Sequence, residues 1–475
     1  MPNVLRKHRK EIVILAIAVS VRFLALFAMA VFGDIATLHL SDSSAYTDLA
    51  GAIAAGDGYS RDGGATPFAL RVPGYPFYLS LSLYLFDNFW PALIGQIILA
   101  SLIPFFLFRI ALLLEFTPRI AFFASLFSAL EPHLIIYSIT FMSDVLFTFI
   151  LLLSFLFFFK FFKGGRFLFL ALSGGLLGLS AYVRELSLYL TLPYGIVIFY
   201  YVWKQEGVFL WRAVLSLGLF AGVFFIIVMP WFIRNYYHFG IVSFSFHGAD
   251  ALYLYTGSSI VALRDGISFD QAKGELIEEY EQETGTKISY YETDIRYNEV
   301  MYRKSFELIT RNIPVVLKLA ILSQIAFWTS HNYAYFLTYF YEILEPPVYS
   351  SPPTHLLFQG RIREALNNVS SNFLSPYYTL SIVGKLTQIT IVMLMTAGFF
   401  YCLRKADLYR RTVFLFLLFL FFYYSAIVFT AGLGVEARYR YPIEPLMILM
   451  AVYGLCALLS RQNNKYPTIS QSCYQ

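Results

Sequence analysis

Residues 144–166 read DVLFTFILLLSFLFFFKFFKGGR: an acid, an apolar run over 145–162 whose single charge is Lys160, then a turn carrying Lys163 and Arg166. A helix needs about 20 apolar residues to cross a hydrocarbon core about 30 Å thick, and only helices or closed barrels satisfy their backbone there. The run lacks the apolar–polar alternation of a barrel strand, so it reads as a transmembrane helix. Cytoplasmic loops carry the excess of Lys and Arg, which puts Lys163 and Arg166 inside and Asp144 outside.

Working outward from this helix threads the whole chain. The first run, Ile12 to Phe32, follows the basic cluster Arg6-Lys7-His8-Arg9-Lys10 and has no small-residue cleavage site, so it reads as a retained anchor with a cytoplasmic N-terminus. Tyr75 to Phe86 is apolar but short and reads as a juxtamembrane helix at the outer interface. Further spans fall at about 90–114, 119–139, 167–183, 186–203, 211–233, 379–403, 412–431 and 441–459. With them, Lys204, Arg212, Arg404 and Arg411 lie inside, whereas Arg184, Glu185, Arg234 and Glu436 lie outside. The expected fold is an all-α integral membrane protein with about ten transmembrane helices, in a range of ten to thirteen, plus amphipathic juxtamembrane helices and a non-cytoplasmic loop region. The organisation divides at 1–234, a catalytic membrane module with outer loops at 34–89 and 139–144; 235–376, a large outer region; 377–460, the last helices; and 461–475, a cytoplasmic tail. In the outer region Ile313 to Trp328 holds Lys318 near its centre, which favours an interfacial helix over a span; a re-entrant pair with 333–344 is the alternative.

Composition agrees with this reading: 58% hydrophobic, 19% aromatic and 14% charged residues, against about 25% charged in soluble domains. The net charge of +5 is accounted for by cationic inner loops and calls for no nucleic-acid partner. Cys402, Cys456 and Cys473 are too few and too scattered for a disulfide framework or a zinc site.

Four clusters of polar residues meet on the outer side. Ser41-Asp42-Ser-Ser-Ala-Tyr46-Thr-Asp48 leads into a small-residue stretch ending at Gly58-Tyr59, and Asp42, Tyr46 and Ala50 share one helical face, with Ser41 or Asp42 alternatively a plain N-cap. Leu70-Arg71-Val-Pro73-Gly74-Tyr75-Pro76 presents a guanidinium at the membrane surface, where snorkelling is the bland explanation. Glu131-Pro-His133 and Ser143-Asp144 bracket a span end, and ionisable groups at such depth are functional hypotheses by default. Pro230-Trp231-Phe-Ile-Arg234-Asn235-Tyr236 is joined by Arg184-Glu185 and by Glu436-Ala-Arg438-Tyr439-Arg440-Tyr-Pro442.

The order Ser41-Asp42-Ser-Ser-Ala-Tyr46, Gly56-Asp-Gly58-Tyr59, Arg71-Val-Pro73-Gly74-Tyr75-Pro76, Ser143-Asp144, Pro230-Trp231-Phe-Ile-Arg234-Asn235-Tyr236 with Phe239-Gly240, and Arg438-Tyr-Arg440-Tyr-Pro442 resembles bacterial GT-C superfamily glycosyltransferases. Within them it is most similar to the group related to protein O-mannosyltransferases and lipid A aminoarabinose transferases. The resemblance covers the first 260 or so residues and the last 90 or so; 260–370 matches nothing nameable. Many relatives carry two adjacent acids in the first outer loop, whereas here Ser43 follows Asp42, leaving open whether Asp48 contributes.

The resemblance implies inverting transfer of a sugar from a polyprenyl-phosphate donor, among membrane lipids, to an acceptor hydroxyl on the outer face of a cell (inner) membrane. An attacking hydroxyl needs a carboxylate to take its proton, and the departing phosphate needs fixed guanidiniums. Asp42 is then the first choice of base, with Asp144 assisting; Arg71, Arg184, Arg234, Arg438 and Arg440 are the donor-phosphate candidates. Tyr46, Asp48, Tyr59, Tyr75, Glu131, Glu185, Asn235, Glu436 and Tyr439 line the expected pocket. A divalent cation (Mg2+ or Mn2+) held by Asp42 and Asp144 is an option, although two separated carboxylates are a weak oxygen-ligand signature. The acceptor is open between lipid, protein and glycan, and Tyr290, Tyr291 and Trp328 read as stacking surfaces for it or as packing. The competing classes are an oligosaccharide ligase or polymerase using a lipid-diphosphate glycan, and a lipid or sugar transporter or flippase; the internal repeats and midplane polar breaks typical of the latter are not evident.

Overall fold

The run that opened the sequence folds as a helix whose two ends carry opposite chemistry. In the computed structural model, which describes residues 8–32, 38–39, 42–206, 210–285, 287, 296–338, 356, 361–372, 375–404 and 407–462, it spans Asp144–Gly164. Asp144 in its first turn and Lys163 in its last complement the helix dipole, and Gly165 ends it in the left-handed region at φ 64°. Its 21 residues, at about 1.5 Å each, separate the two charges by about 30 Å, one bilayer core.

The described elements run α1 Arg9–Phe32, α2 Ser43–Ala55, α3 Gly74–Phe86, α4 Trp90–Leu113, α5 Pro118–Leu130, α6 Pro132–Ile136, α7 Asp144–Gly164, α8 Phe167–Val183, α9 Ser187–Glu206 and α10 Leu210–Phe239. Then come α11 Ser258–Asp265, α12 Phe269–Thr284, α13 Arg296–Arg311, α14 Ile313–Thr329, α15 Ile362–Asn372, α16 Pro376–Arg404, α17 Leu408–Ile427 and α18 Glu444–Gln462. No strand occurs among the described residues. Exposed Leu24, Phe27, Leu81, Leu85, Ile226 and Met393 present the apolar surface that lipid requires.

Among the described residues six helices are long and apolar enough to cross a membrane: α1, α4, α7, α10 from Trp211, α16, and α17 continued to Ala431. Two bent pairs raise the number to eight, 118–139 with a 56° bend and 298–329 with a 99° bend. The chain is thus a multi-pass membrane protein, and by length and hydropathy alone six of its described helices, or eight elements with the bent pairs, qualify as spans against the ten expected. The difference arises at 167–183, which forms an apolar helix of only 17 residues, at Glu444–Leu459, also short, and at α9, which meets the length but not the hydropathy of a span. All three still pack into the same bundle, α8 beside α7 and α10, α9 beside α17, and α18 beside α16. The α16–α18 crossing is close because Gly398 and Gly454 face each other; a Cβ on either would overlap a backbone carbonyl of its neighbour.

The break in 118–139 follows from Pro132, which has no N–H to give and stops α5 at Leu130. Carbonyls freed at such a break need partners inside a membrane. Arg22, fully buried on α1, donates to Ala129 O at 3.2 Å. Gln96 on α4 donates to Thr140 O at 2.7 Å, Ser138 O at 3.2 Å and Tyr137 O at 3.3 Å, and accepts from the Tyr75 hydroxyl at 2.7 Å. One amide therefore holds the 3-10 turn Tyr137–Ile139 and Thr140 in front of Asp144. Leaving a buried carbonyl unpaired costs about 1–3 kcal/mol. Gln96→Leu is expected to lower the thermal unfolding temperature in detergent by several degrees and to reduce activity with it; an unchanged transition would remove this role.

The segment Ile313–Thr329 is a helix set at 99° to the one before it, packed on the end of α17 through Gln324 Nε2 to Ser425 O at 2.7 Å and Ser323 Oγ to Gly432 O at 3.1 Å. Trp328 packs against the main core. Tyr290, Tyr291, residues 339–344 and Cys473 lie outside the described residues. Within 235–376, α11, α12 and α13 enclose a small core of their own built on Tyr253, Leu254, Val261, Leu276, Tyr280 and Met301.

Candidate active site

At the end of α7 opposite Lys163, five charged side chains from distant parts of the chain form a row. Asp42 occupies the position before α2, but its carboxylate makes no cap hydrogen bond to that helix. Instead Oδ1 accepts from Arg71 Nη2 at 2.8 Å and Oδ2 from Arg438 Nη2 at 2.6 Å. Arg438 Nε faces Asp144 Oδ2 at 4.0 Å, and Arg184 Nη2 lies 2.9 Å from Asp144 Oδ1. The row is Arg71, Asp42, Arg438, Asp144, Arg184. Asp144 is fully buried, whereas Asp42, Arg71 and Arg438 keep a partly open face.

Aromatic rings and hydroxyls fix the row. Tyr46, one turn along α2 from Asp42, lies under the Arg71 guanidinium at 5.6 Å from ring centroid to Cζ, and its hydroxyl meets Ser143 Oγ at 3.3 Å. Ser143 also accepts from Arg184 Nε at 3.2 Å, and Ser43 Oγ donates to Phe141 O at 3.0 Å. Tyr75 is buried beneath, edge-on to Tyr46. Gly74, at the start of α3, touches the end of α8: a Cβ there would come 2.6 Å from Tyr182 O. This contact sets the loop bearing Arg71 against the α8 end bearing Arg184.

The Pro-Trp-Phe-Ile-Arg-Asn segment acts on backbone rather than on this row. Trp231 Nε1 donates to Phe244 O at 2.9 Å, and Asn235 Nδ2 to Ser243 O at 2.8 Å and Phe244 O at 3.2 Å. Arg234 donates to Phe68 O at 2.8 Å and its guanidinium sits among the rings of Trp231, Phe239 and Tyr59. The Tyr59 hydroxyl in turn donates to Arg71 O at 3.0 Å. Arg234 and Tyr59 thus pin 68–71, the strip of chain that carries Arg71, while Trp231 and Asn235 hold the neighbouring strip 243–244.

Three of the expected site residues lie away from the row. Arg440, assigned above to the donor phosphate, is buried and turned away: it donates to Phe327 O, to Ser330 O at 2.5 Å and to Ser330 Oγ at 3.2 Å, and pairs with Glu444 at 3.1 Å. It closes the C-terminal end of α14, whose last carbonyls lack helical partners. Glu131 accepts from the Tyr333 hydroxyl at 3.2 Å in this second polar group. Asp48 pairs with Arg61 at 2.6 Å on the surface. Arg440→Glu is expected to lower folded yield without a specific loss of donor affinity in the protein that does fold; a stable variant with weakened donor binding would return Arg440 to the phosphate.

Three pocket residues stay beside the row. Glu185 is close enough to act electrostatically on Arg71, Tyr439 does so on Arg438 and Asp42, and Glu436 enters the turn Ala437–Arg440 two residues before Arg438. The residues that sequence reading passed over are Gln96, Arg22, Ser143 as a partner of Arg184, and His247, which faces Asp42 electrostatically. Polar residues inside apolar spans are the signal that marks the first two.

Burial pushes the Asp42 carboxyl up, but Arg438 and Arg71 outweigh it and hold the group well below the usual carboxylate range. A divalent cation does not fit this arrangement. Both Asp42 oxygens are taken by guanidiniums, Asp144 lies between one of these, Arg438, and Arg184, and no three His, Cys, Asp or Glu side chains converge as a metal site among the described residues.

Residues 69–233, which include Arg71, Asp144 and Arg184, match the family of dolichyl-phosphate-mannose-protein mannosyltransferases. The match agrees with the resemblance to GT-C superfamily glycosyltransferases carried by the sequence motifs, over about a third of the chain. Among solved structures it is similar to the Archaeoglobus fulgidus oligosaccharyltransferase tethered with an acceptor peptide containing the NVT sequon, at 11% identity and TM-score 0.51, over 97% of this chain and 51% of that one. The same archaeal enzyme in complex with an inhibitory peptide and a dolichol-phosphate gives 13% identity and TM-score 0.47 over 97% and 52%. ArnT from Cupriavidus metallidurans bound to undecaprenyl phosphate gives 14% and 0.39 over 92% and 76%. The chain spans about half the length of the oligosaccharyltransferase. No curated protein sequence matches it significantly.

Proposed function

We propose that the protein transfers one sugar from a polyprenyl-phosphate donor to an acceptor hydroxyl at the outer face of a cell (inner) membrane, with inversion at the anomeric carbon. The observation that carries this reading is the Asp42 carboxylate held by Arg71 at 2.8 Å and Arg438 at 2.6 Å, with guanidinium surface left open beside it. In a direct displacement the electron pair of the breaking sugar–phosphate bond stays on the phosphate, and prearranged guanidiniums stabilise that charge at the moment it develops. Each such donor is worth about 10²–10³ in rate. The carboxylates of the row keep the arginines apart and aimed in the absence of substrate, and one carboxylate at the site takes the acceptor proton.

The match of 69–233 to a family named for a dolichyl-phosphate-linked sugar supports a lipid monophosphate donor. Orientation follows from charge. Glu115, Lys163 and Arg410 meet at the far end of the bundle, as do Glu11 and Arg109 at 2.8 Å, and short loops rich in Lys and Arg mark the cytoplasmic side. The row at the other end then faces outward.

The test is donor consumption. Purified full-length protein in nanodiscs, given synthetic undecaprenyl-phosphate sugars of the hexose, pentose and amino-sugar classes with envelope extract as acceptor, should release undecaprenyl phosphate from one class. Release from none would contradict the reading.

A further inference from the structure

The carboxylates at the site differ in what each has left for a proton. Asp144 is fully buried between Arg184 and Arg438. Asp42 has one oxygen on each of two guanidiniums, which makes it a poor acceptor, since a general base is effective when its affinity for the proton approaches that of the working pH. Glu436 differs on both counts. It is exposed, and among the described residues it has no ion pair within 4.0 Å, yet it stands on the turn that delivers Arg438 to Asp42. The charged and titratable groups that face it are Arg438, Asp42 and Asp144, with the hydroxyls of Tyr137, Tyr335 and Tyr439.

We propose that Glu436 is the proton acceptor of the transfer reaction, and that Asp42 is a positioning residue that sets Arg71 and Arg438. The assignment rests on the sugar-transfer reading above. As the acceptor oxygen forms its bond to the anomeric carbon, its proton passes to a Glu436 carboxylate oxygen. The bond from that carbon to the phosphate oxygen breaks, and its electron pair leaves with the polyprenyl phosphate, facing Arg71 and Arg438. Glu436 then returns the proton to solvent, to which it is open. Partial desolvation in the cleft, together with the charges of Asp42 and Asp144, lifts the Glu436 carboxyl above its ordinary value against the pull of Arg438. Transfer therefore falls off on the acid side at a higher pH than a free carboxylate would dictate, while Asp42 stays ionised throughout.

The experiment uses the full chain in nanodiscs with whichever undecaprenyl-phosphate sugar the wild type consumes. Glu436→Gln should lower kcat by about 100-fold or more, leave the donor KM within about twofold, abolish the acid limb of the pH profile and leave the unfolding temperature unchanged. Sodium azide, an anionic nucleophile that needs no base, should restore donor consumption in Glu436→Gln as the glycosyl azide, and should not restore it in Asp42→Asn. Glu436→Asp should keep part of the rate and the acid limb. Wild-type kcat with an unchanged acid limb in Glu436→Gln overturns the assignment and leaves the transfer reading standing. No turnover by the wild type with any donor overturns both.

Discussion

Asp42→Asn lowers transfer by about 10³-fold or more while the protein still folds. The substitution keeps the size of the side chain and removes the charge on which Arg71 and Arg438 converge from residues 29 and 396 positions away. The two guanidiniums lose their common anchor and repel each other across the vacated position, so each leaves the geometry that meets the departing phosphate. Two such donors at about 10²–10³ each set the scale, reduced because neither is wholly lost. The group is partly open to solvent, so the cost in stability stays near the low end for an ion pair, about 1 kcal/mol. Rate and unfolding temperature measured on one preparation check both halves. Full activity in the folded variant would remove Asp42 from the site.

Asp144→Asn shows the opposite balance, with a large loss of stability as well as of activity. Its carboxylate is fully buried, and Arg184, which it holds at 2.9 Å, is itself nearly buried. Removing one partner of a buried pair leaves the other charge without compensation and costs about 3–5 kcal/mol. Asp144 also opens α7 next to the 137–140 segment that Gln96 holds, so the damage spreads into the broken helix. The expected result is a low yield of folded protein and an early unfolding transition, partly rescued by Arg184→Gln in the same chain, because the double change removes both charges. A variant as stable as wild type would show that Asp144 is neutral, or solvated, in the folded protein.

These two carboxylates illustrate how far the chain could be read before its structure was known. The apolar run after Asp144 and its basic end located α7 to within a residue or two, and the shortness of 75–86 separated α3 from the spans, because hydrocarbon thickness imposes a length. Length alone leaves α8 and α18 short of a full span, although α8 runs from the turn after Lys163 to Arg184 beside Asp144. The broken helix at Glu131-Pro132 was visible as a proline, but what repairs it was not, since Gln96 and Arg22 act on carbonyls that become free only once the break exists. Of five arginines expected at one face, Arg71, Arg184 and Arg438 meet the carboxylates of the row, whereas Arg234 and Arg440 serve backbone carbonyls 166 and 113 residues distant, Arg440 with Glu444 beside it. A guanidinium at a span end suits phosphate, carboxylate and carbonyl alike. Only the path of the chain decides which it meets.

Asp42 and its arginines are proposed to serve a sugar-transfer reaction at the outer membrane face. The most direct test is mass spectrometry of envelope lipids, glycans and proteins from cells carrying the wild-type chain, the Asp42→Asn chain or neither. The prediction is one envelope component that bears an added sugar only with the wild-type chain. Identical spectra from wild-type and Asp42→Asn cells, with both proteins present at equal levels, would contradict it.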